Sequence, residues 1–304
     1  MNKMVADYVW FDGQLIKVEE AKVSILTHAL HFGTSVFEGI RGHHGKNNLY
    51  IFRLREHMQR LLNSADVYSI NVKYDINQLI DAAVSLCREN NVKESCYIRP
   101  LAFVGINMAI NVTKESPSHL GILIFFFDKF FTSNEIKVCV SSWRRIHDSS
   151  TPPLAKAAGN YLNSLLAIQE CKRNGFDEAI ILDGNGMVSE APSENIFIVR
   201  NKEIATPSIS SSVLEGITRD TIIRIAKDMG YSVVERVIPR TELYMSDEIF
   251  LTGSAADITP VVNVDGHIIG DGKEGSVTKS IREMYSKIVR AEVEEYMHWL
   301  TPVY

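Results

Sequence analysis

The stretch Pro152-Pro153-Leu154-Ala155-Lys156-Ala157-Ala158-Gly159-Asn160-Tyr161 sets a single lysine among small and apolar residues, after a diproline and ahead of a helical pattern. Leu154, Ala155, Ala157 and Ala158 would keep water off the amine. Desolvation disfavours the ammonium form, and a neutral amine attacks carbonyl carbon. A lysine at a helix start can equally extend its stem and keep its charge in water. The local sequence leaves both readings open, so the flanking chain has to decide.

On the C-terminal side, 161–173 reads as a helix closed by Gly175. Strands then join through Asp183-Gly184-Asn185-Gly186, where a hairpin fits better than a phosphate loop because the third glycine is missing. Val188-Ser189-Glu190-Ala191-Pro192-Ser193-Glu194-Asn195 sets acids amid apolar residues. Gly216-Ile217-Thr218-Arg219 opens a helix. A glycine-led start with a hydroxyl in its first turn is either an anion site or an ordinary capped end. Strand 248–251 runs into Thr252-Gly253-Ser254-Ala255-Ala256, small enough for backbone to approach a ligand closely. Another hairpin centres on Asp265-Gly266, and 276–299 reads as one long amphipathic helix.

The N-terminal side offers a hairpin at Asp12-Gly13 and helices over 53–68 and 76–88. His28 and His31 are expected to bond backbone in a turn or on a helix face. Arg99 interrupts the apolar strand Cys96-Tyr97-Ile98-Arg99-Pro100-Leu101, so it needs a carboxylate partner from the protein or from a ligand. A polar stretch after the apolar run 121–127 places the domain boundary. The expected division is 1–128 as a small α/β domain, 129–135 as linker, and 136–304 as a larger strand-rich domain carrying the lysine. Strands with interspersed helices and tight turns predict an α+β fold.

Composition narrows the function classes. The chain has 304 residues, 45% hydrophobic and 23% charged, with 32 basic and 37 acidic residues for a net charge of −5. Its basic residues are scattered apart from pairs such as Arg144-Arg145, which leaves no footprint for nucleic acid. No apolar run is long enough to span a bilayer, and the N-terminus is no signal peptide. Cys87, Cys96, Cys139 and Cys171 show neither C-x-x-C nor metal spacing, so buried free thiols in a reducing, cytoplasmic setting are expected and no metal is implied.

An apolar-flanked lysine, an acid and an anion-binding helix start are the parts that pyridoxal phosphate needs. With Ala6-Asp7-Tyr8-Val9-Trp10-Phe11, His28-Ala29-Leu30-His31-Phe32-Gly33-Thr34, Phe37-Glu38-Gly39-Ile40-Arg41, Arg55-Glu56-His57-Met58-Gln59-Arg60-Leu61, Tyr97-Ile98-Arg99-Pro100 and Ile258-Thr259-Pro260-Val261, the chain resembles the class IV, fold-type-IV pyridoxal-phosphate aminotransferases. Among them it is most similar to the bacterial branched-chain group, over nearly its whole length. The resemblance implies a two-domain fold and ping-pong transamination of leucine, isoleucine and valine with 2-oxoglutarate. It implies that Lys156 forms the internal aldimine and moves the proton. Glu190 would meet the pyridine nitrogen, with Glu194 as rival, and Tyr161 the phenolic oxygen. Arg60, Ile217, Thr218 and Ser254 would hold the phosphate. Tyr97, Ser254 and Ala255 would take the substrate α-carboxylate, Arg99 a distal carboxylate, and Phe37 would line the pocket.

The departures bear on the pocket. Phe32 and Phe131 stand where the group commonly has tyrosine, and Asp128 falls near a family tryptophan. Two hydroxyls that would assist Arg99 are then missing, which predicts weakened use of glutamate and 2-oxoglutarate with the apolar half-reaction kept. Amino acids and 2-oxo acids are the implied partners. The assembly is a homodimer at least, with a homohexamer as the larger alternative, and the 105–110 loop would reach the partner's pocket. A D-amino-acid aminotransferase, an aminodeoxychorismate lyase, or a cofactor-free structural protein are the competing functions.

Overall fold

The computed structural model describes residues 4–127 and 130–304. The chain folds into two compact units: Met1–Asp128 with Ala155–Gly159 and Lys287–Tyr304, and Lys129–Leu154 with Asn160–Ser286. This differs from the expected single cut, which gave Lys156 and the C-terminal tail to the second domain. Backbone pairing draws both into the first unit. Ala157 bridges Val36, the Phe37 amide donates to the Lys156 carbonyl at 3.0 Å, and the last strand pairs with an N-terminal one.

The first unit carries β1 (Tyr8–Phe11), β2 (Gln14–Lys17), α1 (His28–Phe32), β3 (Ser35–Phe37), β4 (Ile40–Gly45), β5 (Asn48–Phe52), α2 (Leu54–Val67), α3 (Ile76–Glu89), β6 (Cys96–Val104) and β7 (Ser118–Phe125). Its antiparallel sheet closes on Leu300–Pro302, which pairs with β5. The β1–β2 turn puts Asp12 and Gly13 at φ 46° and 92°, the left-handed conformation a two-residue hairpin needs. Helix α3 starts at a capping box. The Asp75 side chain accepts the Asn77 and Gln78 amides, and the Gln78 side chain accepts the Asp75 amide. Leu54, Met58 and Leu61 of α2 and Leu79, Ala83 and Leu86 of α3 are fully buried in one core with Ile40, Ile51, Ile98 and Ile122 of the sheet. Burial of each large side chain there stabilises the fold by about 1.5–3 kcal/mol.

The second unit carries β8 (Ile136–Arg144), α4 (Tyr161–Arg173), β9 (Glu178–Leu182), β10 (Val188–Glu190), β11 (Asn195–Arg200), β12 (Glu203–Thr206), α5 (Ile217–Asp228), β13 (Ser232–Glu235), α6 (Arg240–Leu243), β14 (Glu248–Gly253), β15 (Asp257–Val264), β16 (His267–Ile268) and most of α7 (Ser276–Val289). Its sheet is mixed. β8–β9 and β12–β13 are parallel pairs, crossed by α4 and α5 respectively, and β15–β8 is parallel too. The remaining pairs are antiparallel, so the content is α+β as expected. The stacked rings of Phe197 and Phe250, neighbours across β11 and β14, have centroids 5.0 Å apart in its middle.

Two expectations fail. The C-terminal helix stops at Val289 rather than Trp299. Ala291 turns left-handed at φ 62°, and a 3-10 helix Glu294–Trp299 then buries Tyr296 and Trp299. The amphipathic stripe of 276–289 ends there, and the two aromatics are better buried by a change of direction. Nor are all four cysteines free. Cys139 of β8 and Cys171 of α4 form a disulfide, their Cα atoms 6.0 Å apart, because α4 packs its small face on β8 and β9. Cys87 and Cys96 are buried thiols.

Glu178 is an acid placed inside this core. It is buried on β9, and burial together with the Glu194 carboxyl pushes its own carboxyl up to about 8. The folded state therefore binds a proton that the unfolded chain has released, so stability falls as pH rises from about 4.5 to about 8. Glu178→Gln should remove that slope. Chemical denaturation at pH 5 and pH 9 checks it, and equal pH dependence in parent and variant contradicts it.

Candidate active site

In the first unit, Lys156 is the centre of a tight turn between Ala155 and Ala157, both buried, closed by the Ala157 amide donating to the Ala155 carbonyl at 2.8 Å. Its amide donates to Ser64 Oγ of α2 at 3.0 Å, and its Nζ stands 5.2 Å from the centre of the Phe37 ring. Leu154, expected to shield it, is 46% exposed, so shielding within this unit comes from the alanines and Phe37. The stem is thus held at two backbone points while the amine keeps its reach.

Beside that segment a charged cluster surrounds Glu38, which is fully buried. Arg60 donates from Nε to Oε1 at 2.7 Å and from Nη2 to Oε2 at 2.9 Å, a bidentate fork. His57 Nδ1 donates to Oε2 at 2.7 Å. Burial alone would raise the Glu38 carboxyl, but Arg60 and His57 hold it well below the carboxylate range. Burial also depresses His57 despite Glu38, which favours its charged form. The carboxylate thereby fixes the direction of the Arg60 guanidinium on α2.

Arg99 of β6 is stacked rather than paired. Its guanidinium carbon lies 4.6 Å from the Phe37 ring centre and 5.3 Å from that of Tyr97, and Nη2 reaches Tyr97 Oη at 3.5 Å. Among the described residues no carboxylate pairs with it, and its Nε is buried without a hydrogen-bond partner. Within the described residues the protein supplies no such carboxylate, which leaves the guanidinium disposed to meet one from a ligand. Gly39 makes the arrangement possible, since a Cβ there would lie 1.7 Å from Tyr97 Oη.

The second unit builds a separate cluster. Glu190, at the end of β10, is 4% exposed. Its Oε1 makes an ion pair with Arg145 Nη2 at 2.7 Å, and its Oε2 accepts from Asn195 Nδ2 at 3.0 Å and from the Leu214 amide at 2.9 Å. The Asn195 Oδ1 atom lies where a Cβ at Gly216 would come within 2.0 Å. Gly216 is the N-cap of α5, extended and without a side-chain cap, followed by Ile217 and buried Thr218. So the acid and the helix start are one construction. Ser254 and Ala255 form the turn between β14 and β15. The preceding Gly253 lets the Ser193 carbonyl approach to 3.2 Å of a Cβ position. Tyr161 is the first residue of α4.

The pocket departures are placed differently. Phe32 ends α1, is 48% exposed, and packs on His28 at 4.5 Å rather than on Phe37 or Arg99. Phe131 leans on the second unit's core and on Phe130. Asp128 lies outside the described residues. His28 and His31 bond the carbonyls of Ala109 and Ile25, as expected of turn histidines. Sequence reading passed over Glu38, His57, Arg145 and Asn195 as functional groups. Arg145 was visible only as half of a basic pair, and Glu38 only inside Phe37-Glu38-Gly39. Among the described residues no group of histidine, cysteine and acid side chains could hold a metal, and no helix is long and apolar enough to cross a membrane.

A family model described as amino-transferase class IV matches residues 35–264. The branched-chain-amino-acid aminotransferase of Salmonella typhimurium is 44% identical over 308 aligned positions, covering 100% of this chain and 99% of the relative. The crystal structure of the Escherichia coli branched-chain amino acid aminotransferase superposes with a TM-score of 0.96 at 44% identity, covering 98% of this chain and all of that one. That of the Thermobaculum terrenum branched-chain amino acid aminotransferase in its PLP-form superposes with a TM-score of 0.94 at 36% identity, covering 99% of this chain and all of that one.

Proposed function

We propose that this chain, which belongs to the class IV aminotransferase family, is a branched-chain-amino-acid aminotransferase that uses pyridoxal 5'-phosphate to exchange the amino group of leucine, isoleucine or valine with 2-oxoglutarate. One observation carries the substrate assignment. Arg99, stacked between Phe37 and Tyr97, has no carboxylate partner among the described residues. A wall of rings with one unclaimed guanidinium suits an apolar side chain in one half-reaction and a distal carboxylate in the other.

The residues present fit the cofactor. The α5 start, with Gly216 uncapped and Thr218 in the first turn, suits a phosphate, for which Arg60 and Ser254 are the further donors that the proposal assigns. Glu190, buried and accepting from the Asn195 side-chain amide and the Leu214 N–H, suits a protonated ring nitrogen. When bound, the cofactor supplies a carbonyl for an amine and an electron sink for the substrate's Cα. Lys156 provides the amine, and then accepts and returns the Cα proton as general base and acid. Tyr161 would meet the cofactor's phenolic oxygen and steady its ring. Tyr97 and the Ser254 and Ala255 amides orient the α-carboxylate.

We extend the reading to a homodimer at least. Ile25, Leu30, Phe32, Ile106, Met108 and Ile110 are exposed on the first unit, and a second copy covering them would bring Phe32 and the 105–110 loop to the partner's pocket. The setting is cytoplasmic. The Cys139–Cys171 bridge is compatible because both cysteines are buried from solvent reductants.

A panel of L-amino acids against 2-oxo acids tests the function. L-leucine, L-isoleucine and L-valine should turn over. Consumption of D-alanine without L-leucine, or a preparation that stays colourless with added pyridoxal phosphate, overturns it. In the same assay Phe32→Tyr with Phe131→Tyr should lower the KM for 2-oxoglutarate by at least about 10²-fold, since each of the two restored hydrogen bonds to a charged group is worth about 1.5–3 kcal/mol. An unchanged KM contradicts the account of the missing hydroxyls.

A further inference from the structure

Arg145 follows directly on the end of β8, and its amide donates to the Leu182 carbonyl at 2.9 Å, which anchors it at the end of β9. Its side chain is 7% exposed and pairs with Glu190 at 2.7 Å. Nothing in the mechanism above uses it. Resting on the assignment of Glu190 to the cofactor's pyridine nitrogen, we infer that Arg145 is a positioning residue for that contact, keeping Glu190 ionised so that the proton shared with the ring stays on the ring.

The geometry carries this. Each carboxylate oxygen has two in-plane acceptor positions. Oε2 accepts both the Asn195 amide and the Leu214 N–H. Arg145 faces the other oxygen, Oε1, so the guanidinium lowers the basicity of the carboxylate at that atom. A carboxylate buried with only neutral donors gains from taking up a proton, because desolvation penalises its charge. A protonated Glu190 would offer the ring a donor instead of an acceptor, and the ring nitrogen would be left neutral. The fixed guanidinium makes Oε1 the weaker base, which leaves the proton on nitrogen, where it draws electrons. Asn195 adds the register. Its amide spans Glu190 and the Leu214 carbonyl, at 3.0 and 2.9 Å, and its oxygen fits against Gly216. The acid is thereby set relative to the phosphate end of α5.

Arg145→Gln and Arg145→Lys test the inference through the cofactor rather than through turnover. Reconstitution of apoprotein with pyridoxal phosphate gives affinity, and the pH titration of the bound visible band gives a midpoint. Arg145→Gln should bind at least about tenfold more weakly, and its midpoint should move up because a positive charge near the ring is gone. It should lose kcat more than it raises KM. Arg145→Lys, which keeps the charge, should restore the midpoint. A wild-type midpoint in Arg145→Gln, or an Arg145→Lys profile displaced as far as that of Arg145→Gln, overturns the inference. Should Arg145→Gln not fold, Arg145→Lys decides: a wild-type midpoint supports the role, and a displaced one overturns it. A parent protein that develops no visible band would instead sink the cofactor reading itself.

Discussion

Lys156→Ala is expected to abolish transamination, lowering kcat by at least about 10⁴-fold, while leaving the fold intact. The first part follows from chemistry. The lysine is assigned both the covalent hold on the cofactor and the transfer of the Cα proton, and positioned general acid–base catalysis alone contributes about 10²–10⁴-fold. The second follows from structure. The segment is fixed by backbone groups, through the Lys156 amide to Ser64, the Lys156 carbonyl to the Phe37 amide, and the Ala157–Val36 bridge. None of these needs the side chain, so denaturation should shift by no more than about 0.5 kcal/mol. Borohydride reduction should attach the cofactor covalently in the parent and leave it dialysable in the variant. Residual turnover within about tenfold of the parent would move the chemistry to another amine.

Glu190→Gln is expected to be damaging twice over. The side chain lies inside a buried cluster in which Arg145 is its ionic partner. Neutralising one member of a buried pair strands the other charge, at about 3–5 kcal/mol. The amide's own N–H groups would also face donors, since Asn195 and Leu214 donate to this carboxylate and Arg145 lies against it. Urea denaturation of the apoprotein measures that loss independently of catalysis. Turnover should fall by about 10²–10⁴-fold, the range of a mispositioned acid–base group. A variant as stable as the parent would show that the cluster carries no net charge pairing.

The chemistry-bearing residues were legible where type and local pattern coincide. The hairpin at Asp12-Gly13 and the start of α5 at Gly216 follow from local sequence, because turn and cap geometry restrict which residues fit. Glu190 was legible as an acid among apolar residues. Its partner Arg145 was not, because the two lie far apart along the chain and only folding brings β8 and β10 to flanking positions on β9. Glu38 was hidden for the same reason, its role being set by Arg60 and His57 one helix away. The 276–299 helix was overread because its apolar stripe continues smoothly up to Val289, and the left-handed Ala291 has no glycine to announce it. Cys139 and Cys171 were misread because pairing depends on α4 lying across β8, which spacing does not encode.

The central claim is that this chain carries amino groups on a cofactor tied to Lys156 and takes them from branched L-amino acids. A single half-reaction tests it most directly. Purified holoprotein mixed with L-leucine, without any 2-oxo acid, should lose its visible band and release one equivalent of the matching 2-oxo acid per chain. Addition of 2-oxoglutarate should then restore the band and release glutamate. A band unmoved by L-leucine but bleached by D-alanine, or ammonia released with no amino group stored, would contradict the account.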